Sequence, residues 1–562
     1  MKTKNILFTI MLAFTVVSCN FLEFDETNGL TTKDDIYKYF ASTEGLLSDV
    51  YGYLDEGLGN ISGAVRECAT DDAEFAQLAA SVQDFTNGSW SSLNTIDDQW
   101  NHLYSGIRAA NSFIVDIANA DFSRFEFDGG YALMMEKMKY FPYEARLLRA
   151  HFFFELARRY GDIAMPLTVL TTEEANNIEK TPFQEVINFI VNECNEVAPN
   201  LPVTYRGITD QIGRMTRGYA FALKSKALLY AASALHNPQQ DKEKWRLSAA
   251  AALNLINESV NNGWYQLDAN NPNNIASTEV VMFRMNNEKT EFEKINFPPR
   301  FTHGMSSQAG SCPTQNLVDA FETLNGYRVT LLDNGWQCDD PAFDPQHPYS
   351  NRDPRFAKTV LANAMSFKGS VIETFAGGRD QGEVALGGTP TGYFLRKYIQ
   401  ESTSFEPGNL VENRHLWIIY RYAETLLTYA ESMVEAFDNP AYTDGTYTRS
   451  ALWALNEVRA SRGMPLVTTT DKTEFIERLR NEWRVEFAFE DHRFWDIRRW
   501  RIGDTTQNQI SGVAIERTAT SGDLYYRFTY ESRYWNDKMY LYPIPQAELY
   551  KNLNLAPQNP GW

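Results

Sequence analysis

Three glutamates four residues apart, Glu482, Glu486 and Glu490, lie in the charged stretch Arg478–Trp500. On a helix that spacing puts three carboxylates on one face. Two carboxylates flanking a sugar linkage are enough for acid/base cleavage of a glycosidic bond. The same stretch places Arg480 two residues from Glu482, and Arg484 two from Glu482 and Glu486 and four from Arg480, and a guanidinium beside a carboxylate holds it ionised. We therefore read the stretch as an Arg–carboxylate lattice that welds one helix to its neighbours. Phe487, Phe494, Trp495 and Trp500 would supply its apolar face.

Other catalytic patterns are missing. The chain has no GxSxG, HExxH, GxxxxGK or GxGxxG, and His102, His151, His236, His303, His347, His415 and His492 never fall at metal-ligand spacing. These absences weigh against an enzyme and signal no metal site, and they leave open whether a bound ion helps. A secreted glycoside hydrolase is the rival reading, resting on abundant carboxylates and aromatics.

Aromatic residues make up 14% of the chain, and they suit a different chemistry. A sugar ring has an apolar C–H face and a polar edge, so its site combines an aromatic platform with a few amide, carboxylate or guanidinium partners. Trp90, set in Asn87-Gly88-Ser89-Trp90-Ser91-Ser92 with Phe85 close by, has that composition. Phe297, Arg300, Phe301 and His303 form a second aromatic and cationic cluster. Arg379 sits in the glycine-rich segment Gly377-Gly378-Arg379-Asp380-Gln381-Gly382. These residues are candidates for a carbohydrate site, although the ordinary role of Arg379 is that of a solvated loop tip.

The elements that would carry them are mainly helical. Apolar residues at helical spacing occur in consecutive pairs: residues 98–114 with 131–160, 183–197 with 216–235, then 245–260, 417–436, 449–462 and 473–500. Small residues on the second helix of a pair, such as Ala220, Ala222, Ala227 and Ala231, suggest tetratricopeptide-like units. Between them, residues 263–416 are rich in turn signals, as is the loop 74–95, and loops on a rigid frame are where binding groups usually sit. The expected fold is mainly α, a scaffold of tetratricopeptide-like repeats with a loop-rich irregular region packed on it. The expected parts are 1–18, 19–40, 41–262, 263–416 and 417–562, with 19–562 one body.

Residues 1–18 read as a secretory signal: Lys2 and Lys4, then the apolar run Ile6–Val17 and small Ser18. Val16-Val17-Ser18-Cys19 has the pattern of a bacterial lipobox, making Cys19 the expected lipidation site and anchor. Residues 19–40 would then be a tether. Acyl chains contribute about 0.8 kcal/mol per buried CH₂, and two or more make an anchor stable. The formal charge of −20 argues against a nucleic-acid groove. Cys68, Cys194, Cys312 and Cys338 include no close pair, so neither a zinc site nor a disulfide framework is signalled.

In this order, several segments resemble the SusD/RagB family of outer-membrane lipoproteins from Bacteroidetes. They are the lipobox with Asn20-Phe21-Leu22-Glu23, Glu144-Ala-Arg-Leu-Leu-Arg-Ala-His-Phe152, Arg159-Tyr-Gly-Asp162, Pro313-Thr-Gln-Asn-Leu-Val-Asp-Ala-Phe321 and Asn351-Arg-Asp-Pro-Arg355. Thr391-Gly-Tyr393, Arg421 to Glu431, Leu455-Asn-Glu-Val-Arg459, Leu541-Tyr-Pro-Ile-Pro-Gln546 and Asn559-Pro-Gly-Trp562 follow. The resemblance spans essentially the whole chain. It implies a lipid-anchored, surface-exposed outer-membrane protein that captures an oligosaccharide and passes it to a partner TonB-dependent porin of the SusC type. It implies neither catalysis nor a cofactor. Asp71-Asp72-Ala-Glu74 falls on a family motif leading into the first ligand loop, which adds Asp72 as an acceptor of sugar hydroxyls. Some relatives of this fold serve peptide import, so peptide cargo is the alternative within the family.

Overall fold

The computed structural model describes residues 36–205, 211–269, 274–381, 388–520 and 522–562. The expected signal at 1–18, Cys19 and most of the 19–40 tether lie outside them, as do the turn residues Asn271, Pro272, Asn273, Gly382 and Gly387. The longer helices, of seven residues or more, are α1 (Phe40–Tyr51), α2 (Trp100–Ile117), α3 (Tyr131–Met138), α4 (Phe141–Tyr160), α5 (Phe183–Val197), α6 (Arg217–Ala232), α7 (Lys242–Asn262), α8 (Tyr422–Phe437), α9 (Ala451–Ser461), α10 (Lys472–Glu486) and α11 (Arg493–Arg499).

From α2 onward the long helices form a sequential array: α4 packs on α2 and α5, α6 on α5 and α7, and α8 on α7 and α9. Each helix covers its neighbour's apolar stripe, the logic of a helical repeat. In α6, Ala220, Ala222, Ala227 and Ala231 are all buried and let α5 and α7 approach closely. Thr216 starts the helix by accepting from the Tyr219 N–H at 3.1 Å, satisfying one of the free amides of the first turn. At the end of α7, Gly263 takes the left-handed conformation (φ 68°) that glycine adopts without a Cβ penalty. α4 is buried nearly all round. Its internal charges are therefore paired, Glu144 with Arg214 at 2.9 Å and Arg149 with Glu193 at 3.0 Å.

Three expected helices are shorter or divided. Residues 131–160 split at Lys139-Tyr140 into α3 and α4, with Pro142 in the first turn of α4 where its missing N–H costs nothing. Residues 417–421 are not helical. Leu416–Arg421 forms strand β4, antiparallel to β2 (Val280–Met285), because Trp417-Ile418-Ile419-Tyr420 pairs better than it winds. The helix expected over 473–500 breaks at Phe487–His492, where Phe489 and Asp491 take positive φ.

The loop-rich region joins the array through short ladders. β1 (Ala73–Phe75) pairs antiparallel with β3 (Ser311–Pro313), Glu74 opposite Cys312. A small second core, including Ala76, Phe297, Leu361, Phe367 and Phe394, lies beneath it. Near the C terminus a long hairpin, β5 (Gln509–Thr518) and β6 (Gly522–Ser532), occupies a stretch expected to be helix and tail. The sequence leaves open whether any two of the cysteines pair; in the structure the buried Cys68, Cys194 and Cys312 and the half-buried Cys338 are all free thiols.

Candidate functional site

The carboxylates of α10 form a closed lattice. Glu486 accepts from Arg421 at 2.5 Å, from Arg462 at 2.7 Å and from Arg355 at 2.7 Å. Glu482 accepts from Arg459 at 2.9 Å and also from Arg355. Glu490 accepts from Arg421 at 2.7 Å and from Lys397 at 2.5 Å. Behind them Glu279 and Asp353 neutralise the remaining guanidinium edges, and Glu322 bridges Arg459 and Arg478. The account balances: Arg355, Arg421, Arg459, Arg462, Arg478 and Lys397 face six carboxylates. Burial alone would raise Glu486, but Arg462, Arg421 and Arg355 outweigh it and hold the group well below the usual carboxylate range. Such a carboxylate cannot serve as a proton donor near neutral pH. The lattice reading is right, with other partners than the expected ones. Arg484 turns away to Asp71 and Asp72 at 2.9 and 2.6 Å, and Arg480 lies over the Trp500 ring at 4.9 Å.

Beside this lattice Glu67 is buried and accepts from the Asp491 N–H at 2.7 Å. Burial, reinforced by the Asp491 charge, pushes its carboxyl up to about 8. A raised carboxyl favours the folded state fully below the unfolded value. That contribution is lost as pH rises toward about 8. Chemical denaturation of the wild type and of Glu67→Gln at pH values across this window is expected to show a smaller fall in stability for the variant. Equal slopes would refute the assignment.

Four sequence candidates are core residues. Asp72 is 0% exposed and bound by Arg484, so no sugar hydroxyl reaches it. Trp90 is 2% exposed, packed edge-on against Tyr542 at 4.9 Å, Trp562 at 4.8 Å and Phe85 at 4.7 Å. Phe85 is buried with it, edge-on to Phe494 at 5.4 Å. The physical reason lies far away in sequence. The C-terminal segment folds back over the 74–95 loop, with Tyr534 donating its N–H to Thr86 O at 2.7 Å and Gln546 donating to Ser92 O at 3.0 Å. Asn87 remains exposed, but its amide organises its own loop, donating to Asp84 at 3.1 Å and accepting from the Ser89 N–H at 2.9 Å. Phe297 is likewise buried, edge-on to Phe367.

Arg300, Phe301 and Arg379 come together at the surface. Arg300 clasps Asp380 at 2.9 and 2.8 Å, donates to Ser370 Oγ at 3.0 Å and lies 4.3 Å over the Phe301 ring. Arg379 clasps Glu373 at 2.8 Å through both nitrogens of its fork, and the Glu373 N–H in turn donates to Asp380 at 2.9 Å. Phe301 leans on Phe367 at 5.0 Å. His303 is exposed in the turn that follows, at φ 50°. The exposed apolar side chains Met305, on the same loop, and Val371, whose carbonyl accepts from Arg300, extend this face. Neither was singled out from sequence; an apolar side chain in a polar, turn-rich segment is the signal that marks them. Fixed forks of donors and acceptors beside apolar patches can meet hydroxyl edges and C–H faces at once. The open shape suits a chain longer than a pocket.

A separate cleft of about 830 Å³ lies between residues 355–359, 396–401 and 414–421 and the ends of α9 and α10. None of the carbohydrate-site candidates lines it, whereas Glu486 and Glu490 of the lattice do. Among the described residues no group of three or more His, Cys, Asp or Glu could hold a metal ion, and no helix is long and apolar enough to cross a membrane.

Residues 260–562 match the model of the SusD family. The whole chain aligns with the SusD-like protein P2 of Formosa agariphila, 23% identical and covering 100% of both sequences. A SusD-like protein of Bacteroides fragilis superposes with a TM-score of 0.76 at 25% identity, covering 94% of this chain and 99% of that one. A laminarin-binding SusD-like protein has the same fold, with a TM-score of 0.55 at 20% identity and coverage of 93% and 99%. With more than half of its length on the family model and the helical array and loop-rich layer shared throughout, this chain belongs to the SusD family.

Proposed function

We propose that this protein is a cell-surface glycan-binding lipoprotein. It captures oligosaccharides on the face built from Arg300, Phe301, His303 and Arg379 and hands them to a SusC-type TonB-dependent transporter in the outer membrane. The observation that carries this reading is the convergence of two bidentate Arg–carboxylate clasps and an aromatic ring on one exposed loop face. Membership of the SusD family and the carbohydrate-binding and laminarin-binding relatives support the ligand class. Lipidation at Cys19 would hold the body at the membrane, and the repeat surface would meet the transporter.

Isothermal titration against neutral and acidic glycans of plant, algal, fungal and host origin tests the reading. One glycan class is expected to bind. Phe301→Ala is expected to weaken that binding by about 1–3 kcal/mol, as for other rings stacked on aromatic side chains. Arg379→Ala is expected to weaken it without lowering the melting temperature, since Arg379 is 55% exposed. Binding to peptides with none to any glycan would favour the peptide alternative. Release of reducing sugar would return the hydrolase.

A further inference from the structure

The 830 Å³ cleft has a floor and a rim of different character. Its floor is the charge-balanced lattice around Arg421, Arg462 and Glu486, in which every cation has a carboxylate partner. At the rim Lys358, Arg396 and Arg414 stand against one lining carboxylate, Glu401, a local reversal in a chain of net charge −20. Lys358 donates to Ala269 O at 3.4 Å. The two rim arginines are tied by solvent-facing pairs: Arg396 to Glu401 at 2.8 Å with side chains 28% and 37% exposed, and Arg414 to Glu288 at 3.5 Å with 48% and 61%, Arg414 also donating to Met285 Sδ at 3.6 Å. Pairs so exposed contribute little, so an incoming carboxylate can exchange for them and take a guanidinium in its bidentate fork.

The wall adds a second, independent sign. Tyr398 lines the cleft at φ 64°, a left-handed backbone conformation that bulky residues rarely adopt. Strain of this kind persists where the surroundings over-determine it, and it clusters at ligand clamps. The ring is backed by Trp417 at 5.9 Å. Ile275, Ile399 and Leu416 supply apolar wall, and Gln400 an amide. The volume is within the range of small-molecule sites.

We propose that this cleft is a second ligand site, separate from the loop face, for a small hydroxylated carboxylate of mono- or disaccharide size. Arg396 and Arg414 would hold the carboxylate and Tyr398 the ring. A hexuronate sugar and a free organic acid share the carboxylate chemistry, and the choice of probes separates them.

The experiment is titration of the full chain with digalacturonate, with its neutral counterpart digalactose and with succinate. It is repeated on Arg396→Met/Arg414→Met, on Arg414→Gln alone and on the loop-face variant Arg379→Ala. Digalacturonate is expected to bind more tightly than digalactose and to weaken between about 0.05 M and 0.5 M salt, as screening of a rim charge requires. The double variant is expected to lose at least about tenfold in affinity, the scale of a lost charge-assisted pair. Arg414→Gln, at an exposed position, is expected to show part of that loss with an unchanged melting temperature. Tighter binding of digalacturonate than of succinate assigns the site to uronates, and the reverse assigns it to organic acids. Absence of binding by both acids, equal binding of digalactose, or a loss in Arg379→Ala in place of the rim variants would overturn the proposal. The last of these results would place the acid on the loop face, whereas the first two leave glycan capture there untouched, since it is read with its own ligands.

Discussion

Glu486→Ala is expected to destabilise the fold by about 3–5 kcal/mol, the cost of removing one partner from a buried ion pair and leaving the other uncompensated. The lesion is larger than one contact, because Arg355, Arg421 and Arg462 all converge on this carboxylate. Urea or guanidinium unfolding measures it, and retained stability would refute the reading of the lattice. Glu486→Gln, which keeps the shape and loses the charge, is expected to cost less. The pH dependence identifies the charge as the cause. A carboxylate held below its unfolded value contributes stability that is fully present above about pH 4.5 and is lost as the pH falls through its depressed folded value. The gap between the wild type and Glu486→Gln should therefore be flat from about pH 5 to 8 and close in acid. A gap that persisted unchanged into acid would mean the side chain acts through packing.

Trp90→Ala is expected to cost about 3–5 kcal/mol of stability, the range for truncating a large buried aromatic. A surface platform would show the opposite pattern, lost ligand binding in a protein that melts normally. The structure leaves no room for that, since Tyr542, Trp562 and Phe85 enclose the indole. The indole N–H is buried without a protein acceptor. Trp90→Phe, which sheds that N–H and keeps most of the ring, is expected to be far milder than Trp90→Ala. Thermal or denaturant melts of the two variants, run beside glycan titration, decide between core and platform. Normal melting of Trp90→Ala would return the residue to the candidate list.

These two residues also show what could be read from the sequence. The helical array was legible because amphipathic periodicity and small-residue spacing are local properties: Phe183–Val197 falls where the pattern puts it, and Gly161 and Gly263 close the helices they follow. The lattice was legible in kind, since glutamates at spacing four beside arginines have few other fates. Its membership was not, because Arg355, Arg421 and Arg462 arrive from segments up to 131 residues distant. Trp90 failed for the same reason in stronger form. Its polar neighbours suggested exposure, yet two of the three rings that bury it, Tyr542 and Trp562, lie beyond position 540, and local composition carries no trace of them. The surface placement of Arg300, Phe301 and Arg379 was legible because the turns that carry them are written in local glycine and proline. The cleft was invisible, being lined by segments from across the chain.

The balanced lattice has a mechanical consequence. Its members come from the loop-rich layer (Asp353, Arg355 and Lys397), from the start of α8 (Arg421) and from α9 and α10 (Arg459, Glu482 and Glu486). Any flexing between the layer and the array would have to pull charges apart inside a low-dielectric seam, where separation is steeply unfavourable. The seam therefore has no hinge. The helical array and the loop-rich layer move together as one stiff body.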